Sequence, residues 1–119
     1  MGEVKRSVRV AARVQEELAS MLSRDVKDPR VVGVVISRVL MTDDLRQARV
    51  FVRVLEEDKR DEALKGLAKA SAMLRSGVGK RAKLRYAPEL EFRYDEGQDA
   101  ALRIEQLLHE IGQDRARKP

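Results

Sequence analysis

Between Val4 and Ser23 the apolar residues fall at Val10 or Ala11, Val14, Leu18 and Met21 or Leu22. Intervals of three and four put them on one face of a helix, with Lys5, Arg6, Arg9 and Arg13 mostly elsewhere on its surface. Asp28-Pro29 follows. Proline disfavours helical geometry at the residue before it, so the helix should stop near Arg24 to Lys27. The pattern then changes period. Val31 to Met41 is rich in β-branched residues, and Ala48, Val50, Val52 and Val54 alternate with Arg49, Phe51, Arg53 and Leu55, which predicts two strands. Thr42-Asp43-Asp44-Leu45 between them has turn chemistry and is short enough for an antiparallel hairpin, with one face buried and the other basic and wet.

A helical pattern resumes after Glu56 to Arg60, with Leu64, Leu67, Ser71, Leu74, Val78 and Ala82 on one stripe. A second stripe, offset by about one residue, carries Lys65, Lys69, Ala72, Ser76, Lys80 and Lys83. Ala70-Ser71-Ala72 and Gly77-Val78-Gly79 are places to bend or break, because glycine costs about 1 kcal/mol against alanine inside a helix. Two helical pieces are therefore expected. Pro88 opens a third strand in which Leu90, Phe92 and Tyr94 should face the core, and Asp95-Glu96-Gly97 ends it. Asp99 can cap a final helix through Ala101, Ile104, Leu107, Leu108 and Ile111, with Gly112 as its stop. Gln113 to Pro119 reads as a loose basic tail, so the expectation is one domain over residues 1–112 and a disordered tail over 113–119.

Composition narrows the class. The chain has 119 residues, 43% of them hydrophobic, enough for one core. It has no cysteine, which removes disulfides, thiolate nucleophiles and cysteine-ligated zinc. No apolar run approaches the roughly 20 residues needed to span a bilayer, and the N-terminus lacks a signal peptide's apolar region, so the expectation is a soluble cytoplasmic protein with no membrane partner. His109 is the lone histidine, the adjacent acids Asp43-Asp44 and Glu56-Glu57-Asp58 sit in turn or strand-end contexts, and no nucleophile has an evident base. Neither an enzyme, nor a metal site, nor a cofactor is expected. Charge points instead to a polyanion. Lys65, Lys69, Arg75, Lys80, Arg81, Lys83 and Arg85 lie in a stretch without one Asp or Glu, although the whole chain nets only +5. With Ser76 they form the candidate RNA-binding set, and Lys5, Arg6, Arg9 and Arg13 a second patch. Aromatics are only 3% of the chain, which argues against recognition by stacked bases, because such platforms need exposed rings. Against these stand plainer readings: a solvated helix face for the basic stretch, close helix packing for Ala70, Ser71 and Ala72, and a helix stop for Asp28-Pro29-Arg30.

The order helix, strand, strand, helix, helix, strand is that of a type II KH domain, an α+β fold whose three-stranded sheet carries helices on one face. KH domains clamp nucleic acid with a GXXG loop, absent here; Gly77-Val78-Gly79 is one residue too short. Val8-Arg9-Val10-Ala11, Asp28-Pro29-Arg30, Ala70-Ser71-Ala72, Arg75-Ser76, Gly79-Lys80, Leu84-Arg85 and Pro88-Glu89-Leu90-Glu91-Phe92 running into Tyr94-Asp95 together resemble the ribosome-binding factor A family over nearly the whole chain. The resemblance implies an interhelical kink at an Ala-x-Gly triplet in place of the GXXG loop, and Ala70-Ser71-Ala72 stands there with alanine for the glycine. It also implies a non-catalytic assembly factor that binds free small (30S) ribosomal subunits and 16S rRNA, supports processing of the rRNA 5′ region in late maturation, and supports growth in the cold. A monomer is the simplest free state. The rival readings are a generic KH-like nucleic-acid-binding module and a protein-interaction adapter that pairs through a strand edge or amphipathic helix.

Overall fold

The computed structural model describes residues 5–97. The expected final helix, His109 and the basic tail lie outside them. Helix α1 runs Arg6–Arg24, strand β1 Val35–Met41, strand β2 Gln47–Arg53, helix α2 Arg60–Arg81 and strand β3 Glu89–Tyr94. The sheet order is β1-β2-β3, with β1 antiparallel to β2 and β2 parallel to β3. A hairpin joins the first pair, while the parallel pair needs a crossover, which α2 supplies. The α+β, KH-like arrangement read from the sequence is observed, with one helix between β2 and β3 where two pieces were expected.

The core lies between the sheet and the two helices. Val14, Leu18 and Met21 from α1 and Leu67, Leu74 and Val78 from α2 join Val39, Met41, Ala48, Val50 and Val52 in one buried cluster. Both helices therefore cover the same sheet face. Leu90 and Phe92 pack against this cluster half-buried. Tyr94, expected in the core, is also half-buried; its hydroxyl donates to Glu57 at 3.2 Å, and Arg60 lies 4.7 Å from the ring centroid.

Three expectations are corrected. First, β1 begins at Val35 instead of Val31. Asp28 accepts from the Arg30 N–H at 2.9 Å and caps a 3-10 turn over Pro29–Val31, and Gly33 at φ 82 swings the chain into the strand. The β-branched run is thus spent on a turn that buries Val31. Second, α2 is one unbroken helix of 22 residues instead of two pieces. Its glycines serve close approach: a Cβ on Gly77 would stand 2.2 Å from the Met21 Cε, and one on Gly79 would stand 3.1 Å from the Ala87 Cα. Third, the face of β2 turned from the helices is not simply wet. Arg49 and Phe51 are both buried. Arg49 pairs across the register with Glu91 and bonds it at 2.8 and 2.9 Å, and Phe51 sits between Arg38 and Arg93 in the register. A central strand flanked by long side chains on both sides is covered on both faces.

A candidate nucleic-acid interface

The basic residues of α2 and of the segment that follows it stand in different settings. Toward its C-terminal end, Arg75, Lys80 and Lys83 line a groove of about 670 Å³. The remainder of the lining is small or apolar: Ala72, Ser76, Gly79, Leu84 and Ala87. Arg75 helps to shape it, its Nε donating to the Ala87 carbonyl at 3.3 Å. The approach of Gly79 to Ala87 sets how near the helix comes to the following segment. All three cations are exposed, and none has an ion-pair partner among the described residues.

The turn after α2 has an unusual occupant. The Leu84 N–H reaches the Gly79 carbonyl at 2.9 Å and the Lys83 N–H reaches Lys80 at 3.2 Å, closing the helix with Lys83 in the left-handed region at φ 56. This post-helical position is where glycine is usually found, because a side chain there crowds the backbone by about 1 kcal/mol. A lysine is held there nonetheless, and it lines the groove.

Arg81 and Lys69 belong elsewhere. The Arg81 Nη2 meets the Asp25 Oδ2 at 2.7 Å, tying the end of α2 to the end of α1. Lys69 lines a separate depression with Asp28 and Arg30. Lys65 is exposed and lines neither. Arg85 is exposed beside Tyr86, its guanidinium 5.5 Å from the ring centroid, while Arg46 from the hairpin lies 4.4 Å from the same ring. Sequence reasoning missed Arg46 and Tyr86; only the adjacency of Arg85 and Tyr86 hinted at them. Ala70, Ser71 and Ala72 lie inside the unbroken helix, Ala70 packed against the core and Ala72 on the groove. Lys5, Arg6, Arg9 and Arg13 are all exposed on or before the first turns of α1, where no acid accompanies them. Cations there oppose the helix dipole, so the helix gains nothing locally from this patch.

Asp28 and Arg30 form a clamp at the foot of α2. The Arg30 guanidinium bonds both carboxylate oxygens, the shorter contact being 2.6 Å, and Gly66 lets the turn approach: a Cβ there would meet the Val31 Cγ1 at 2.9 Å. The hydrogen bond from the Arg30 side chain, aided by that from its backbone N–H, holds the Asp28 carboxyl at about 2, below its ordinary 3.8. Burial opposes ionisation of Glu91 and Asp95, yet both carboxyls are also lowered: Arg93 and Arg49 outweigh burial at Glu91, and the Gly97 N–H and Ser37 hydroxyl at Asp95. A depressed carboxyl contributes its stability above the unfolded value and loses it as pH falls through the folded one. The Asp28 contribution is therefore complete above 3.8 and declines toward pH 2. Urea unfolding across this window should show a parent that loses stability on acidification and an Asp28→Asn variant that starts less stable and loses less. Parallel pH profiles for the two would show that the clamp carries no linkage.

The fold and this groove define a KH-like α+β domain with a cationic edge suited to a polyanion. The family profile of ribosome-binding factor A matches residues 6–108, and the chain belongs to that family. It is 50% identical over 114 residues to ribosome-binding factor A of Sorangium cellulosum, spanning 92% of this chain and 91% of that one. The solution structure of a Thermotoga maritima protein assigned to the same factor superposes with a TM-score of 0.70 at 30% identity, covering 84% of this chain and 96% of that one. A Thermus thermophilus ribosome binding factor A, fitted as a homology model into a cryo-EM map of a 30S complex, gives 0.62 at 25% identity over 73% of this chain and 92% of that one. Among the described residues no helix is long and apolar enough to cross a membrane.

Proposed function

We propose that this protein binds the free small ribosomal subunit through 16S rRNA and promotes its late maturation by binding alone, in the cytoplasm and as a monomer when free. The 30S complex of the Thermus relative carries the choice of particle. The groove at the end of α2 supports the mode of contact. Arg75, Lys80 and Lys83 are unneutralised and line one shallow strip, the arrangement that positions a phosphate backbone without reading its sequence. Lys65, Lys69 and Arg85 extend the same field, Arg81 contributes what its pairing with Asp25 leaves, and Ser76 can donate a hydroxyl to phosphate. Lys5, Arg6, Arg9 and Arg13 supply a second strip on another helix. Held across neighbouring rRNA elements, such a domain stabilises one conformer of the immature subunit, and processing of the 16S 5′ region and growth in the cold follow from that folding step.

Co-sedimentation with free small subunits, large subunits and whole ribosomes at two salt concentrations tests the reading. Selective binding to free small subunits, weakening with a log-log slope of about −0.7 per phosphate contact on single strands, is expected. Equal binding to every particle would make the protein a generic nucleic-acid binder, and salt-tolerant binding would favour an apolar adapter. Cells lacking the protein should accumulate 5′-extended 16S rRNA, most strongly in the cold.

Lys83 gives a sharper test, because its two effects have opposite signs. Lys83→Gly should relieve the left-handed backbone and raise stability by about 0.5 to 1 kcal/mol, read by urea unfolding. The same change removes a groove cation and should weaken small-subunit binding roughly tenfold. A variant that is stabilised yet binds like the parent would take Lys83 out of the interface.

A further inference from the structure

Both tyrosines of the chain carry an arginine on the ring, and their surroundings differ in kind. Over Tyr94, Arg60 is neutralised by Glu96 at 3.2 Å and Glu57 at 3.8 Å, and Glu57 also takes the phenol hydrogen bond. That stack is closed and structural. Over Tyr86, neither Arg46 nor Arg85 has an ion-pair partner among the described residues, the phenol makes no hydrogen bond there, and the residue is 49% exposed. The same motif occurs twice in one fold, once neutralised and once not.

We infer that the Arg46-Tyr86-Arg85 cluster is a binding site for an unpaired RNA nucleotide, its base stacking on the Tyr86-Arg46 pair and its phosphate meeting Arg85. The inference rests on the reading of the protein as an rRNA binder and names one contact within it. Three observations converge. The cluster is assembled from two chain segments held together by the backbone: the Glu89 N–H bonds the Arg46 carbonyl at 2.8 Å, where β3 enters beside β2, and Pro88 is fully buried at that junction. Ring and guanidinium are therefore juxtaposed before any ligand arrives. The cluster also continues the groove, since Leu84 and Ala87, on either side of Arg85 and Tyr86 in sequence, both line it. A strand whose phosphates follow Lys80 and Lys83 can run onto the ring. Finally, two unneutralised guanidiniums beside an aromatic face match the two parts of a nucleotide, whereas an acidic peptide would need only the charges. A base in a duplex is stacked between its neighbours and cannot reach the ring, so the site selects single strands.

The chain has no tryptophan, so Tyr86→Trp places a single reporter in the cluster. Its fluorescence should be quenched on titration with a single-stranded adenosine hexanucleotide and left unchanged by a duplex of equal length. In co-sedimentation, Tyr86→Ala should lose about tenfold in affinity for free small subunits while Tyr86→Phe, which keeps the ring, stays within about twofold. Thermal melts of all three variants check that each is folded. Absent quenching together with parental binding by Tyr86→Ala overturns the site; if Lys80→Glu/Lys83→Glu still abolishes binding in that case, the rRNA reading survives without it. Quenching by the hexanucleotide with no binding to any ribosomal particle would keep the stack and remove the ribosomal reading. Equal losses in Tyr86→Ala and Tyr86→Phe would assign the effect to the hydroxyl and overturn the stacking role.

Discussion

Replacing Lys80 and Lys83 together by glutamate is expected to lower affinity for free small subunits by roughly a hundredfold or more while leaving the fold intact. Each ammonium lines the groove and has no carboxylate partner among the described residues, so neither change breaks an ion pair in the protein. Two acids at the C-terminal end of α2 oppose its dipole by about 0.3 to 1 kcal/mol each, well short of unfolding a domain. A charge-assisted contact contributes about 1.5 to 3 kcal/mol, and on the proposed mode of binding reversal adds repulsion from the phosphate. Two lost contacts of even the smaller size exceed the roughly 2.7 kcal/mol that a hundredfold represents. The salt dependence should become shallower as well, by about 1.4 in log-log slope if each contact counts about 0.7. Arg81 is a poorer choice for this experiment. Its guanidinium bridges α2 to Asp25 of α1, so a glutamate there would set two acids against each other and mix a folding defect into the binding result. Parental affinity in a double variant with a native circular dichroism spectrum would remove the groove from the interface.

What the sequence conveyed and what it concealed divide along a physical line. Elements governed by periodicity were legible: α1 ends at Arg24, inside the expected limits, and Ala48, Val50 and Val52 face the helices while Leu90 and Phe92 pack on the same core. The cationic stretch on α2 was legible too, because charge is written in composition. Features that depend on what a residue meets across the fold were not. Gly77 and Gly79 look like breaks in a helix when read locally, but at those points α2 meets Met21 and Ala87, and a missing Cβ permits the contact. The Asp28 cap that converts Val31 from strand to turn was hidden in the same way, since its β-branched neighbours suit either state. In the candidate site the sequence supplied Arg75, Lys80 and Lys83 but could not show that Arg81 meets an acid 56 residues away, nor that Arg46 reaches Tyr86 from another loop.

Because α2 carries the core on one side and the groove on another, a second substitution on the same helix should have the opposite profile. Leu74→Ala is expected to cost about 2 to 5 kcal/mol, because Leu74 is wholly buried with Leu67, Val78 and Val50, and removing its branched end leaves a cavity that its neighbours fill only in part. Total stability of a domain is about 5 to 15 kcal/mol. Each kilocalorie shifts the midpoint of one this size by about 4 to 8 °C, so the melt should fall by about 8 to 40 °C. Below that lowered midpoint the groove residues stand where they did, and affinity for free small subunits should remain within about twofold of the parent. Melting and co-sedimentation measured side by side then separate the two faces: Leu74→Ala moves stability alone, Lys80→Glu/Lys83→Glu moves binding alone, and Lys83→Gly moves the two in opposite directions. If Leu74→Ala lost affinity as severely as the charge reversal at a temperature where it is fully folded, the groove would depend on core packing for its shape, and the cations would no longer account for binding by themselves.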